Sequence, residues 1–205
     1  MALWDYFSKD EDKRARFIFD LIAPAYFLID RGTQAHYRKM AMLLDEHIPL
    51  KGQSVLDVGC GTGSWIGTLK TYGLKTAAGV DFSAKMLREA KKNHPDIQWV
   101  QQSGESLSAF ADHSFDMVTA TFVLHGMKAV KRARLLKEMQ RVARRWVVIH
   151  DFYKGSSFGV WMLETLERSD YVQFKHHFKE EMATFFPDTE ILVGENGNAL
   201  YIGHL

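Results

Sequence analysis

Cysteine is almost absent from this sequence, because Cys60 is the only one among 205 residues. One thiol cannot form an intramolecular disulfide, and it cannot supply a cysteine-rich metal site. The chain also has no large excess of charge of either sign, since 26 basic and 25 acidic residues give a formal net charge of +1. We therefore expect no strong electrostatic attraction to nucleic acid or to an anionic membrane. The scarcity of cysteine favours a cytoplasmic protein, since the cytoplasm keeps thiols reduced.

Long hydrophobic runs are missing too. The apolar stretches are short and interrupted by charged residues, so no membrane span is expected. Residues 1–12 are aromatic and then acidic, whereas a signal peptide is basic and then apolar, so we expect no signal peptide. Proline is rare, and three of the four prolines stand where the pattern predicts boundaries between elements. With 46% hydrophobic residues, residues 1–205 are expected to form a single domain with a substantial core.

Short apolar runs alternate with amphipathic segments through the middle of the chain. Strands are predicted, in chain order, at 54–58, 76–80, 97–100, within 115–124 and at 146–149. Helices are predicted at 13–46 with a break, at 64–72, from a cap at Ser83 to before Pro95, and at 130–143. This alternation predicts a parallel sheet with helices on both faces. Two last strands, at 190–193 and 199–202, flank the tight-hairpin signal Asn196-Gly197 and are expected to pair antiparallel.

Three glycines follow the first predicted strand and precede a helix. Gly59, Gly61 and Gly63 let the backbone turn sharply and approach a ligand closely, beside the free amides of a helix start. A dinucleotide-binding loop has the spacing G-x-G-x-x-G, which needs glycine where Ser64 stands. Asp57, two residues before the loop, suits a cationic ligand better than a pyrophosphate. S-adenosylmethionine carries a sulfonium and an ammonium group, so the loop favours this cofactor and disfavours a nicotinamide-dependent oxidoreductase.

The segment Asp57-Val58-Gly59-Cys60-Gly61-Thr62-Gly63 resembles motif I of the class I S-adenosylmethionine-dependent methyltransferases. Further matches follow in the family's order. The segment Asp81-Phe82-Ser83-Ala84-Lys85-Met86-Leu87 resembles its D-x-S-x-x-M-L pattern, and Asp112-His113-Ser114-Phe115-Asp116 resembles its D-x-S-F-D pattern. The earlier segment Phe19-Asp20-x-x-Ala23-x-x-Tyr26 resembles the type-11 group, which includes ubiquinone and menaquinone C-methyltransferases. The resemblance covers roughly residues 17 to 152.

The pattern and the resemblance together predict an α/β fold. It is a Rossmann-like, seven-stranded, mostly parallel sheet with a C-terminal antiparallel hairpin and helices on both faces. Within the single domain we expect an N-terminal helical lid segment at 1–50, a cofactor-binding core at 51–152, and a substrate-side helix with the terminal hairpin at 153–205. The resemblance implies S-adenosyl-L-methionine as the cofactor and S-adenosyl-L-homocysteine as the product.

The resemblance also implies which residues bind the adenosine half of the cofactor. Asp81 is expected to accept hydrogen bonds from the two ribose hydroxyls, with helix capping as its alternative role. Phe82 and Met86 are expected to flank the adenine. The adenine edge is expected near Gly104 and Glu105, although a serine replaces the family's usual aspartate at position 103.

The methionine half of the cofactor is expected at the end of the fourth strand. Thr121 and Phe122 lie there, and by resemblance Tyr26 covers the amino-acid end. The full set of expected cofactor-binding residues is Tyr26, Asp57, Gly59, Cys60, Gly61, Gly63, Asp81, Phe82, Met86, Gly104, Glu105, Thr121 and Phe122.

The expected reaction requires few catalytic side chains. Methyl transfer from a sulfonium is an in-line displacement, so donor and acceptor mainly have to be aligned, and a base is needed only if the acceptor loses a proton. His125, just after the fourth strand, is the candidate catalytic base, and a loop histidine without a chemical role is the alternative. Asp151 ends the fifth strand at the same edge, where it either fixes a loop or touches substrate. No metal is expected, because residues 119–125 contain no acid to share a magnesium ion with Asp151.

A basic cluster lies in and after the helix predicted at 130–143. Its members are Lys131, Arg132, Arg134, Lys137, Arg141, Arg144 and Arg145. The cluster is compatible with RNA binding or with a solvated outer face, and the lack of interleaved aromatic residues favours the solvated face. We therefore expect a small-molecule methyl acceptor, no nucleic acid and no membrane span, in a monomer or homodimer. No motif identifies the acceptor, and a cofactor-binding module without catalysis is the alternative to an enzyme.

Overall fold

The computed structural model describes residues 33–154 and 170–205, and a seven-stranded sheet lies at its centre. The strands are β1 Ser54–Val58, β2 Thr76–Asp81, β3 Gln98–Gln101, β4 Phe115–Thr121, β5 Ala143–Phe152, β6 Thr189–Val193 and β7 Asn198–His204. Their order in the sheet is β3-β2-β1-β4-β5-β7-β6. The strands β1 to β5 run parallel, and β7 pairs antiparallel with both β5 and β6. The predicted sheet architecture is therefore confirmed.

Helices cover both faces of this sheet. They are α1 at 33–47, α2 Ser64–Lys70, α3 Ala84–Asn93, α4 Ala129–Val142 and α5 Tyr171–Phe185. In one core cluster, Leu44 of α1 and Trp65 of α2 lie with Val148 of β5. In the other, Met139 of α4 and Phe178 of α5 lie with neighbouring β5 residues of the opposite face. No helix in these parts of the chain is long and apolar enough to cross a membrane.

The local signals for a helix start and for the terminal hairpin are both confirmed. The Ser83 cap is confirmed, because its Oγ accepts a hydrogen bond from the Met86 amide at 3.2 Å. The last two strands pair antiparallel as predicted, and the Asn196-Gly197 signal lies in the connection between them. Val193 pairs with Ala199, and the chain between them forms a 3₁₀ turn at Glu195–Gly197. The predicted helix at 13–46 continues into α1, and its part before residue 33 lies outside the described residues.

The basic cluster on and after α4 is less solvated than the sequence predicts. Arg132 is only 1% exposed, so the expectation of a solvated face is wrong for this residue. Its Nε and Nη2 atoms donate to the Glu181 carboxylate at 2.7 and 2.6 Å, and Nη1 donates to Asp170 at 2.9 Å. Glu181 lies on α5, a partner that no local pattern in α4 indicates. The bidentate pair therefore joins α4 to α5 instead of facing a nucleic acid.

The strand order reverses between β1 and β4. The chain leaves β1 toward β2 on one side of the sheet and leaves β4 toward β5 on the other side. In open sheets of this type, ligands bind in the crevice that this reversal opens at the carboxyl ends of the strands. Of the residues that the sequence predicts for the site, Gly59, Cys60, Gly61 and Gly63 follow β1, and Phe122 and His125 follow β4.

Candidate active site

The glycine loop joins β1 to α2 with a left-handed backbone at each glycine. The φ angles of Gly59, Gly61 and Gly63 are 70°, 52° and 82°, which residues with a side chain rarely adopt. A Cβ atom at Gly59 would lie 2.6 Å from Val123, and one at Gly63 would lie 2.5 Å from Trp99. Among the residues that the structure describes, a Cβ atom at Gly61 would meet nothing within 4 Å. The space beside Gly61 is therefore open to a ligand, while the other two glycines lie against the protein.

Asp81 joins the glycine loop to the start of α3. Its Oδ2 accepts a hydrogen bond from the Gly61 amide at 2.9 Å, and its Oδ1 accepts one from the Ser83 amide at 2.8 Å. The carboxylate is buried at the carboxyl end of β2. Asp81 thus shapes the loop in addition to its expected role at the ribose.

Asp57 is a buried acid directly below the loop. Its side chain accepts a hydrogen bond from the Thr119 hydroxyl at 2.8 Å, across the pairing of β1 with β4. Burial raises the pKa of Asp57 to about 7, with a smaller contribution from the negative charge of Asp81, while the Thr119 bond opposes the rise. A cation bound above the loop would favour the ionised carboxylate. Sequence reasoning missed Thr119, although it faces the same side of β4 as Thr121, two residues later.

The residues predicted for the adenosine half are placed along the ends of β1 to β3. Met86 is buried in the first turn of α3, and Phe82 is half-buried one residue before the cap. Cys60 is buried within the loop, and burial raises the pKa of its thiol well above the usual value. The thiol of Cys60 is therefore un-ionised. If it lies beside the cofactor as predicted, it contributes packing and not nucleophilic chemistry.

Gly104 and Glu105 follow β3, as the predicted adenine edge requires. A Cβ atom at Gly104 would lie 2.9 Å from Val58, so the chain passes close to β1 there. The Glu105 carboxylate lies 3.7 Å from Lys131 Nζ and 3.5 Å from Arg134 Nη1. These ion pairs join the segment to α4, and the contact of Glu105 with the adenine stays a prediction.

The end of β4 carries a strained residue. Phe122 has a φ of 52° although it is not a glycine, a conformation that stores strain and persists where the surroundings require it. Its amide donates to the His150 carbonyl at 2.9 Å, and its ring lies 4.8 Å from the His150 ring. The Thr121 hydroxyl is buried and has no hydrogen-bond partner within residues 33–154 and 170–205. Both residues lie at the crevice, where the sequence places the methionine half of the cofactor.

A histidine pair fastens α1 to the end of β5. The Nε2 atoms of His36 and His150 lie 3.1 Å apart, and the rings of Trp65 and Phe122 pack around His150. Burial lowers the pKa of His150 to about 3, and burial also lowers the pKa of His36. Both rings are therefore neutral at pH 7, so one of them donates to the other. Sequence reasoning missed His36, because the two histidines are 114 residues apart.

His125 and Asp151 are brought together at the carboxyl ends of β4 and β5. His125 Nδ1 lies 2.7 Å from Asp151 Oδ1, and Asp151 is fully buried. Tyr26, by contrast, lies outside the described residues, so its contact with the cofactor stays a prediction. Within 33–154 and 170–205, no group of three or more His, Cys, Asp or Glu side chains is placed to hold a metal ion.

The comparisons with known proteins agree on one family. The family described as "Methyltransferase domain" matches residues 55–145. The chain is 36% identical over 131 residues to the demethylmenaquinone methyltransferase of Renibacterium salmoninarum, covering 62% of this chain and 53% of that protein. It is 30% identical over 170 residues to the 2-phytyl-1,4-naphtoquinone methyltransferase of Trichormus variabilis, covering 74% of this chain and 72% of that protein. The chain spans about half the length of the first of these relatives.

Solved structures share the fold. A protein of Pyrococcus horikoshii has a TM-score of 0.70 at 18% identity and covers 83% of this chain and 90% of its own length. The magnesium protoporphyrin IX methyltransferase of Synechocystis with bound SAH has a TM-score of 0.64 at 18% identity, covering 84% of this chain and 83% of its own. With the sequence relatives and the motif at the end of β1, these findings show that the chain belongs to the class I S-adenosylmethionine-dependent methyltransferases.

Proposed function

We propose that this protein transfers a methyl group from S-adenosylmethionine to a small-molecule acceptor by in-line displacement. The observation that carries the proposal is the space beside Gly61, which no described residue fills, with the buried carboxylates of Asp57 and Asp81 close to the same loop. Two acids at this crevice suit a ligand that carries two positive groups at one end and two ribose hydroxyls in its middle.

Each part of the cofactor has a matching group in this arrangement. Asp57 and Thr121, at the ends of β1 and β4, would hold the ammonium and sulfonium end of the cofactor. Asp81 would accept hydrogen bonds from the ribose hydroxyls, and Phe82 and Met86 would flank the adenine. The sulfonium supplies the activated methyl group, so the protein's own contribution is to hold donor and acceptor in line and to exclude water.

For the acceptor we propose an aromatic quinone-type ring. The relatives named above are methyltransferases of demethylmenaquinone and of 2-phytyl-1,4-naphthoquinone. Aromatic side chains gather beside the ends of β4 and β5, where the ring centroids of Phe122 and Phe152 are 5.2 Å apart and those of Phe152 and Tyr171 are 5.0 Å apart. Aromatic rings stack or pack edge-on against such an acceptor. A cytoplasmic location and a monomer or homodimer stay predictions from the sequence.

The first experiment compares cofactors by thermal unfolding. S-adenosylmethionine at about 100 times its Kd is expected to stabilise the protein by about 2.7 kcal/mol, which raises Tm by roughly 5–10 °C for a chain of this size. NAD at the same concentration is expected to leave Tm unchanged. Stabilisation by NAD and not by S-adenosylmethionine contradicts the proposal.

The second experiment separates an enzyme from a binding module. The protein is incubated with S-adenosylmethionine and reduced 2-phytyl-1,4-naphthoquinone, and S-adenosylhomocysteine is measured by mass spectrometry. An enzyme forms it in step with the methylated quinol. Cofactor binding without product, across this quinol and a panel of phenols, amines and thiols, indicates a binding module instead.

A further inference from the structure

The strongest unassigned feature is a cluster of three rings where α1 meets the ends of β4 and β5. The ring of His36 comes from α1, that of Phe122 follows β4, and that of His150 lies in β5. The centroid of the His150 ring lies 5.1 Å from that of His36 and 4.8 Å from that of Phe122, and the other two centroids lie 6.3 Å apart. Because each ring contacts the other two, a displacement of α1 changes the packing of Phe122 directly.

Polar contacts to two strands fix His36 in this cluster. Its Nε2 lies 3.1 Å from His150 Nε2 and 3.4 Å from the side-chain nitrogen of Asn198 in β7. Burial lowers the pKa of both imidazoles, so the pair is neutral at pH 7 and carries no like-charge repulsion. His150 is fully buried, and it would lose its hydrogen-bond partner if α1 moved away. The contact between the two imidazoles therefore depends on α1 being docked on the sheet.

Phe122 needs support from its surroundings because its backbone is strained. Its φ of 52° lies in the left-handed region, and a phenylalanine persists there only where other contacts hold it. His150 provides two of these contacts. Its carbonyl accepts a hydrogen bond from the Phe122 amide at 2.9 Å, and its ring packs against the phenylalanine ring. His150 thus holds both the backbone and the side chain of Phe122, and His36 holds His150 from α1.

Phe122 stands between the glycine loop and the aromatic side chains at the ends of β4 and β5. It follows Thr121, where the methionine half of the cofactor is expected, and its ring lies 5.2 Å from that of Phe152. The next residue, Val123, packs so closely on the loop that a Cβ atom at Gly59 would lie 2.6 Å from it. A shift of the Phe122 backbone therefore moves Thr121 at the expected cofactor and Val123 against the glycine loop.

Resting on the proposed function, we propose that His36 and His150 are positioning residues that hold Phe122 for cofactor binding, so that the crevice is complete only when α1 is docked. Helix α1 is the described part of the segment 1–50 that the sequence predicts as a lid. Neither histidine has to touch the cofactor, because both act through Phe122. Thermodynamic linkage makes the effect reciprocal: docked α1 raises the affinity for S-adenosylmethionine, and bound S-adenosylmethionine stabilises docked α1.

The first test compares two amides of different length in place of His36. In His36→Gln the amide reaches about as far as the imidazole Nε2 and still pairs with His150, whereas in His36→Asn it is one methylene shorter. Calorimetric titration of the full chain is expected to give His36→Asn a Kd for S-adenosylmethionine about tenfold above wild type, and His36→Gln a Kd within about threefold of it. The control is Lys39→Gln, which removes the exposed ion pair between Lys39 of the same helix and Glu195 and is expected to bind like the wild type.

A double-mutant cycle tests whether His36 acts through Phe122. Phe122→Leu alone is expected to weaken cofactor binding, and adding His36→Asn to it is expected to raise Kd by less than about twofold further. Independent contributions would multiply instead, so a further loss of about tenfold overturns the proposal. A Kd of His36→Asn within about twofold of wild type overturns it as well, and so does an equal loss in Lys39→Gln.

The wild type provides a test that needs no variant. S-adenosylmethionine is expected to slow hydrogen exchange of the α1 amides at 36–44 by at least about fivefold, and unchanged exchange there contradicts the proposal even if His36→Asn does not fold. A wild-type protein that binds no S-adenosylmethionine contradicts both this proposal and the proposed function. A wild-type protein that binds the cofactor and transfers the methyl group, with no effect of His36→Asn on Kd, contradicts this proposal alone.

Discussion

Replacing Asp57 with asparagine should make the cofactor-free protein more stable than the wild type at alkaline pH. The same change should lower the affinity for S-adenosylmethionine. The carboxyl of Asp57 is buried, and burial is the main reason that its pKa rises to about 7 from an ordinary 3.8. Between these two values the folded chain holds a proton that the unfolded chain has lost. Stability is therefore lost as pH rises through this window, and the loss is complete above the folded pKa. An asparagine is neutral at every pH and still accepts the Thr119 hydrogen bond.

The magnitude follows from the number of protons involved. Each pH unit below the folded pKa corresponds to about 1.4 kcal/mol for one bound proton. The folded pKa lies about 1.5 units above pH 5.5. Between about pH 5.5 and about pH 8.5, the unfolding free energy of the wild type should therefore fall by about 2 kcal/mol more than that of Asp57→Asn. Other titrating groups, including His36 and His150, are common to both proteins and cancel in the difference.

The assay is urea unfolding of both proteins across this pH range, paired with calorimetric titration of S-adenosylmethionine. The difference in unfolding free energy should widen with pH. The wild-type Kd should fall as pH rises toward 7, because the cationic cofactor selects the ionised carboxylate, and the Kd of Asp57→Asn should show no such fall. Parallel stability curves for the two proteins would refute the reasoning, and so would an unchanged cofactor affinity in the variant.

Two more predictions use pairs of matched variants. Gly61→Val should abolish cofactor binding in calorimetry. The control is Gly52→Val, because Gly52 also has a positive φ and no described residue within 4 Å of an added Cβ atom, and this variant should bind the cofactor normally. An equal loss of binding in both variants would show that backbone strain causes the effect. Arg132→Ala should lower the unfolding free energy by about 3 kcal/mol because it leaves Glu181 without its buried partner. Arg134→Ala, whose side chain is 65% exposed, should change it by less than about 0.5 kcal/mol, and similar losses would contradict the buried network.

The sequence predicts β1 with the bounds that the structure has, because a short apolar run there is closed by glycines. It predicts only the centre of β5. The strand extends to Ala143–Phe152, and its ends carry Arg144 and Asp151, polar residues that interrupt the apolar pattern. An apolar period identifies the buried middle of a strand but not the ends, where side chains meet solvent or a functional site.

The candidate site is likewise only partly predictable from the sequence. The glycine loop, Asp57 and Asp81 stand in local patterns whose spacing indicates a cofactor, so they can be read from the chain itself. The partners of these residues come from elsewhere in the fold. Thr119 reaches Asp57 only through strand pairing, and His36 reaches His150 only when α1 packs on the sheet. No window of neighbouring residues contains that information.

The two adjacent residues at the end of β5 point to opposite sides of the sheet, His150 toward α1 and Asp151 toward His125. Because side chains alternate along a strand, sliding β5 by a single residue would exchange these two positions and dismantle both arrangements at once. The alignment of β5 is held on one side by β4 and on the other by β7, where His150 lies opposite Leu200. The terminal hairpin lies away from the glycine loop and is expected to affect turnover only by fixing the register of β5. Deleting it should therefore lower turnover, although no residue expected to touch a ligand is removed.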